Sequence, residues 1–323
     1  MFFRPAHRGL LGLALLIALL APALAPAADV PPRRGEIALS FDDAPTGDGS
    51  FLTGPERTAR LIAGLEAAGV EEALFFVMTG GLETAEDAER LRAYTGAGHV
   101  LANHTHSHPW LRETEPADYL ADIDEAARIL SDFVPVAPLF RYPYLDEGLT
   151  HGRHMAVRSG LRARGLDNGY VTVDTYDWYM QALAGGARDA GRDLDMEALR
   201  DVYVSTLLEG VTFYDDVARR HLGRSPRHVL LLHENDLAAL FVPDLVAALR
   251  AEGWEIIPAR EAYDDPIAEI RPDTLFNGQG RIAAIAHAAG AEARDLVPRV
   301  EDETYLRALF VERGLLSDTQ DPD

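Results

Sequence analysis

The chain contains no cysteine and no lysine. Without cysteine there is no disulfide framework, no thiolate metal ligand and no lipoprotein attachment site. An exported protein of this composition draws its stability from its core. Without lysine, all 30 basic residues are arginine, which we read as genomic base composition before mechanism. Positive charge is scarce overall: the net charge is −22. Such a field repels nucleic acid and anionic membrane surfaces and tolerates neutral or cationic partners, so nucleic acid is excluded as a partner. The acidic residues are scattered, as at Glu71-Glu72 and Asp264-Asp265, in the manner of a solvated surface.

A membrane-spanning apolar run is also missing. Residues 1–8 are short and basic, 9–20 form an unbroken run of small and apolar residues, and Ala23-Leu24-Ala25-Pro26-Ala27-Ala28 follows. That order reads as a secretory signal peptide cleaved after Ala25, Ala27 or Ala28. The run is shorter than the ~20 residues a spanning helix needs, and an uncleaved anchor is the alternative. The expected location is secreted or periplasmic, with no stable membrane insertion after cleavage.

What is present is ample for a core: 323 residues, of which 47% are apolar. Apolar, β-branched runs at 36–41, 73–77, 99–103, 138–142, 170–174, 228–232 and 254–257 predict strands. Amphipathic stretches at 56–68, 85–97, 116–131, 150–164, 196–221 and 237–251 predict helices. Thr114 and Asp236 sit where helix caps are expected. Regular alternation predicts parallel β/α units, and about seven of them favour barrel-like closure over an open doubly wound sheet. The fold class expected is α/β, a distorted (β/α)7-type barrel with a C-terminal extension. Residues 1–28 are the signal, 29–259 the barrel domain, and 260–323 an extension packed on the barrel. Residues 181–195, rich in Gly, Ala, Arg and Asp, are expected as an inserted loop.

Five segments carry chemistry, each at or just past the C-terminal end of a predicted strand, where β/α barrels build their sites. The first is Phe41-Asp42-Asp43-Ala44-Pro45. Adjacent carboxylates repel, so the pair marks either an acidic turn or a cation that relieves the repulsion. The second is His104-Thr105-His106-Ser107-His108. On one helical turn His104 and His108 would face the same way and His106 elsewhere. Two imidazoles and one carboxylate suit Zn2+ and its neighbours and leave a position for water. The third is Arg141-Tyr142-Pro143-Tyr144, in which the arginine could hold a carboxylate ionised; alone, a surface ion pair explains it equally well. The fourth is Asp177-Trp178, a carboxylate able to orient a histidine beside an aromatic able to wall a sugar-sized pocket, or else a core tryptophan beside a capping aspartate. The fifth is Leu232-His233, a histidine that a nearby carboxylate such as Asp177 would keep protonated, or one that simply ends a core strand.

Taken in order, these segments resemble the polysaccharide deacetylase family (carbohydrate esterase family four, the NodB-homology fold), whose patterns are F-D-D-G-P, H-[ST]-x-x-H, R-x-P-Y, D-W and L-H. The match runs from about Glu36 to Ile257. The resemblance implies a distorted barrel and a divalent metal, Zn2+ first and Co2+, Ni2+ or Fe2+ as alternatives, held by Asp43, His104 and His108. It implies Asp42 as general base steadied by Arg141, His233 as general acid tuned by Asp177, and the Tyr144 amide at the oxyanion. Tyr144 and Trp178 would meet the substrate. The expected activity is release of acetate from N-acetyl or O-acetyl groups of a polysaccharide or oligosaccharide, an acetylated carbohydrate being the partner. Two departures stand out. Ala44 replaces a glycine, narrowing the approach to Asp42, and Leu145-Asp146-Glu147-Gly148 remodels a substrate loop.

Three rivals use parts of the same set. An amidase for a small non-sugar amide would separate on a substrate panel. A glycosidase needs two carboxylates and no histidine pair, so it would resist chelators. A non-catalytic carbohydrate-binding protein would bind without releasing acetate. In the tail, residues 273–281 read as a turn or a loop over the pocket, and Tyr263 has no role.

Overall fold

The computed structural model describes residues 1–3 and 33–317. The signal read at 1–28 therefore lies, past its third residue, outside the described range. Among the described residues no helix is long and apolar enough to cross a membrane.

The strands are β1 (Gly35–Ala44), β2 (Leu74–Val77), β3 (Val100–Asn103), β4 (Val136–Phe140), β5 (Asp167–Asn168), β6 (Arg227–His233) and β7 (Trp254–Ile256). Every strand pair among them is parallel, in the order β5-β4-β3-β2-β1-β6, with β7 also on β1. Ile37, Leu39 and Phe41 are fully buried, and so are the residues between them, because helices cover a parallel sheet on its outer face. One edge of β1 pairs with β6 from Glu36 to Asp42. Its other edge pairs with β7 early and with β2 late. The sheet curls into a half-barrel around this central strand.

The helices are α1 (Gly54–Ala67), α2 (Ala85–Gly96), α3 (Pro116–Leu130), α4 (His151–Ala163), α5 (Asp177–Asp189), α6 (Met196–Leu222), α7 (Asp236–Ala251), α8 (Gly280–Ala288) and α9 (Glu303–Glu312). Residues 259–269 and 293–301 run as short 3-10 turns, and α8 packs against α6.

The structure corrects four local expectations. Residues 170–174 form no regular strand. They touch β6 through one bridge, Val173 to Leu230. The Thr172 hydroxyl takes the Val229 N–H (2.7 Å), replacing a carbonyl in the ladder. This segment is where the barrel is seamed rather than closed. Residues 181–195 are not an inserted loop, because most of them belong to α5. Met180, Leu183, Ala184 and Ala187 recur at helical spacing and are buried, a stripe that the Gly and Asp content masked. Thr114 does not cap α3; its hydroxyl donates to Trp110 O, and Glu115 occupies the cap position without a side-chain bond. At α7 the cap is Asn235, whose side chain accepts from Ala238 N, while Asp236 is the first helical residue.

A buried ionic network ties the strand ends together. Glu234, fully buried, accepts from Arg90 (2.9 Å), the Tyr94 hydroxyl (2.7 Å) and Thr46 N (2.8 Å). Asp236 pairs with Arg57 at 2.8 Å. With these partners present the buried carboxylates are compensated, and the turns after β1 and β6 are fixed side by side.

Candidate metal and acid–base site

The backbone at this end of the half-barrel is strained. Five non-glycine residues have positive φ among the described residues: Asp43, Thr105, His108, Tyr144 and Leu145. All belong to the segments singled out above or directly follow one. Left-handed backbone at such residues persists only where the surrounding structure fixes it.

Asp43 lies at the irregular end of β1, where pairing with β2 shifts between Phe41 and Ala44. Ala44 itself is buried and in register with Val77. His104 directly follows β3. The two imidazoles do not share a helical turn, as expected from spacing alone. They converge because the 104–108 loop reverses through left-handed Thr105 and His108. Asn103 Oδ1 accepts from Thr105 N (2.9 Å) and the Thr105 hydroxyl from His108 N (3.0 Å). Asp122 Oδ2 accepts from His106 N (2.7 Å) and Ser107 N (3.0 Å). His106 turns away to the Thr79 hydroxyl, as expected.

Asp43, His104 and His108 form one donor set. His104 Nε2 is 3.2 Å from His108 Nε2, and Asp43 Oδ1 is 3.2 Å from His108 and 3.5 Å from His104. A tetrahedral ion with ligand bonds of about 2.0–2.1 Å separates its ligands by about 3.4 Å, so the spacing fits one. Asp43 Oδ1 is buried without a hydrogen bond of its own. His104 Nδ1 lies 2.9 Å from the Arg141 carbonyl, which can only accept. The proton therefore sits on Nδ1, and the Nε2 lone pair faces the donor set. Burial opposes ionisation of Asp43, but the His108 contact and the charges of His104, His233 and His108 outweigh it and hold the carboxyl well below its usual range.

Asp42 is buried beside this set. Its Oδ1 accepts from Arg141 Nη1 at 2.6 Å. Arg141 is itself buried, donating also to Ser40 Oγ, Gly169 O and the Tyr263 hydroxyl, with the Phe76 ring 3.7 Å from its guanidinium carbon. It is no surface ion pair. Tyr263, unassigned from sequence, donates its hydroxyl hydrogen bond to Tyr170 O and braces the arginine from behind.

His233 is register partner to Asp42 across β1 and β6. Its Nδ1 lies 2.6 Å from Asp177 Oδ1, and its backbone N–H donates to Asp177 Oδ2 at 2.9 Å. Asp177 is fully buried in the first turn of α5 and also accepts from Asn235. Burial disfavours the imidazolium, but the charge and hydrogen bond of Asp177, with Asp43 and Asp42 behind, raise the His233 pKa to about 10. Buried Asp174 stands nearby with its carboxyl pushed up to about 7, chiefly by burial.

One aromatic borders the donor set, and a second follows Asp177. Tyr144, 44% exposed, stacks on Trp110 with ring centroids 3.6 Å apart and lies 4.5 Å from the His108 ring. Trp178 is 41% exposed and not a core residue. The loop after Tyr144 is anchored by buried Asp146, which accepts from Arg112 N and Nε and from Gly148 N. Sequence reading missed Trp110, Tyr263 and Asp174. Only Trp110 left a signal, standing two residues after His108.

The half-barrel and the convergence of these residues at its strand ends define a class: an α/β fold shared with a solved carbohydrate esterase family 4 pseudoenzyme from Bacillus anthracis. A mutant of that protein aligns with TM-score 0.50 at 18% identity, over 74% of this chain and 71% of the other. Residues 29–163 match the family model described as polysaccharide deacetylase. A peptidoglycan-N-acetylglucosamine deacetylase of Bacillus cereus is 29% identical over 152 residues, 46% of this chain and 48% of that protein. A chitin deacetylase of Cryptococcus neoformans is 26% identical over 208 residues, 62% of this chain and 41% of that protein. The chain thus spans less than half the length of these curated relatives.

Proposed function

We propose that the protein is an exported, metal-dependent deacetylase that hydrolyses N-acetyl or O-acetyl groups of a carbohydrate and releases acetate. The observation that carries this reading is the adjacency of three converging donors, Asp43, His104 and His108, to a carboxylate held by Arg141 and a histidine held by Asp177. A divalent cation in that donor set, Zn2+ first, supplies Lewis-acid polarisation of the acetyl carbonyl and makes water a better nucleophile. Asp42 takes the proton from the attacking water, and Arg141 fixes the carboxylate that receives it. The Tyr144 amide faces the developing oxyanion. His233, kept as imidazolium by Asp177, gives its proton to the departing nitrogen or oxygen. Tyr144 and Trp178 offer the exposed aromatic faces on which a sugar ring can lie. Residues 29–259 form the catalytic domain in this reading, with 260–323 as an extension on it, and the segment 1–28 directs export to a secreted or periplasmic location.

The test is acetate release and metal content of the purified protein across chitin, peptidoglycan, poly-glucosamine and acetyl-xylan fragments and small non-sugar amides. Asp42→Asn is expected to lower turnover about 10²- to 10⁴-fold while leaving metal content unchanged. Full activity in that variant overturns the assignment of the base, and binding without acetate release from any substrate overturns the enzyme reading.

A further inference from the structure

Behind Arg141, away from the donor set, lies a second cavity of about 370 Å³. Its walls come from the end of β4, from α4, from the loop after Tyr144 and from the tail segment up to α8. The volume is that of a small-molecule site. Besides Arg141, four arginines border it: Arg158, Arg162, Arg271 and Arg281. None of the four makes an ion pair among the described residues, whereas Arg57, Arg90, Arg224 and Arg260 each hold a carboxylate within 4 Å. Arg281 is buried and Arg158 half-buried, while Arg162 and Arg271 are exposed at the rim, so the void gathers positive charge in a chain of net charge −22.

Arg281 is 7% exposed and buries its charge against carbonyl oxygens, Ile267 O and Ile270 O, and the face of Tyr170. Burial pushes its pKa down, opposed by the charge of Glu147 and helped by Arg271 and Arg158. Arg158, half-buried, is lowered by burial and by Arg271 and Arg162, against a pull from Glu147. One partly buried carboxylate, Glu147, lies among them. It is already engaged by the Asn168 amide (2.9 Å) and flanked by His154 (3.7 Å). Glu269 and Asp167 stand exposed at the rim. Glu147 alone does not balance buried Arg281 together with half-buried Arg158, and burying positive charge in excess of its counter-ions is costly, so the arrangement favours an added anion.

Two further wall groups want partners. Asn277 Nδ2 donates to Gly148 O and Leu275 O, both at 2.9 Å, which fixes the orientation of the amide. Asn277 Oδ1 is then a buried acceptor without a donor, and the buried Tyr170 hydroxyl has no partner either. An acceptor of this kind matches a ligand hydroxyl, whereas the guanidinium groups match an oxyanion.

We propose that this cavity binds a hydroxylated small anion, a sugar acid or a sugar phosphate, with Arg158 and Arg281 on its oxyanion and Asn277 Oδ1 on a hydroxyl. The cavity shares Arg141 and Tyr263 with the site of the deacetylase reading, but the ligand contacts proposed here do not depend on that reading. Its ligand would clamp the tail to the loop after Tyr144, where Gly278 N already donates to Leu145 O (3.2 Å).

The experiment is calorimetric titration of the full protein with glucuronate, glucose 6-phosphate and glucose. At least one of the two anions is expected to bind saturably, the tighter of them identifying carboxylate or phosphate as the ligand group, and glucose at least tenfold more weakly. Arg158→Gln, half-buried and tolerant of change, is expected to weaken the anion tenfold or more, with Arg271→Gln as a second variant at the rim. Asp43→Ala, which alters only the donor set, is expected to bind as the parent does. Absence of binding by both anions, equal binding of glucose, unchanged affinity in both arginine variants, or loss of binding in Asp43→Ala would each overturn the proposal.

Discussion

Asp177 acts on His233 through both oxygens, so its charge and its geometry can be separated. Sign matters here: the raised pKa keeps His233 protonated through neutral pH, and that form is lost as pH rises through about 10. A cation held by Asp43, His104 and His108 would oppose the imidazolium and move this value down. Asp177→Asn removes the charge, and the alkaline limb of kcat/KM is expected to shift downward toward the ordinary histidine value of about 6.5. A pH–rate profile checks it, and a limb that stays put removes His233 as the general acid.

His99 works in the opposite sense. It is buried, and its Nδ1 accepts from Ala73 N at 3.2 Å, so it must be neutral there. Burial is the main cause that lowers its pKa to about 4, against a smaller pull from Glu72. Since the unfolded chain takes up this proton first, the stability His99 provides is present above about 6.5 and is lost as pH falls toward 4, at most about 3 kcal/mol. Asn offers an acceptor at every pH. The stability advantage of the parent over His99→Asn, from urea unfolding, should therefore shrink between pH 7 and 4.5; a constant difference contradicts it. At this scale the candidate site residues were legible because each stands in a short motif. Tyr263 was not, since it acts only through Arg141, far away in sequence, and Asp174 was not, since what distinguishes it is chiefly its burial.

Among the elements, the 104–108 loop decides whether the two imidazoles meet. Spacing alone suggested one helical turn. The convergence instead rests on left-handed Thr105 and His108 and on Asp122, which reaches back from α3 to hold two loop amides and the Ser107 hydroxyl. Outer-shell partners of this kind are worth about 10- to 100-fold in metal affinity. Asp122→Ala is expected to weaken Zn2+ binding by that factor while leaving the ligands intact. Competition with a chromophoric chelator measures it, and parental affinity would show that the loop holds its shape unaided. Alternating apolar runs located six of the seven strands and six helices. The segment 170–174 and α5 escaped for opposite reasons: a threonine side chain replaced a ladder carbonyl in the first, and glycines hid a buried helical stripe in the second.

The whole molecule carries a charge of −22 and gathers three donors with one unsatisfied buried oxygen among them. An ion that binds only the folded chain stabilises it by about 2.7 kcal/mol at a hundred times its dissociation constant. Chelation is therefore expected to lower the melting temperature and abolish acetate release together, with Zn2+ restoring both. Calorimetry with and without chelator tests this, and a melting temperature indifferent to chelator and to added Zn2+ would mean the donors hold no structural ion.

By itself the sequence determined the parallel β/α order and singled out the side chains that converge at the strand ends, because periodicity and short motifs are local properties of a chain. Only the tertiary structure decided that the barrel is seamed at 170–174, that Arg141 is buried rather than superficial, and that four arginines share a cavity with an unmet amide. Those facts depend on which distant segments become neighbours and on how much water is removed between them. No local pattern encodes either.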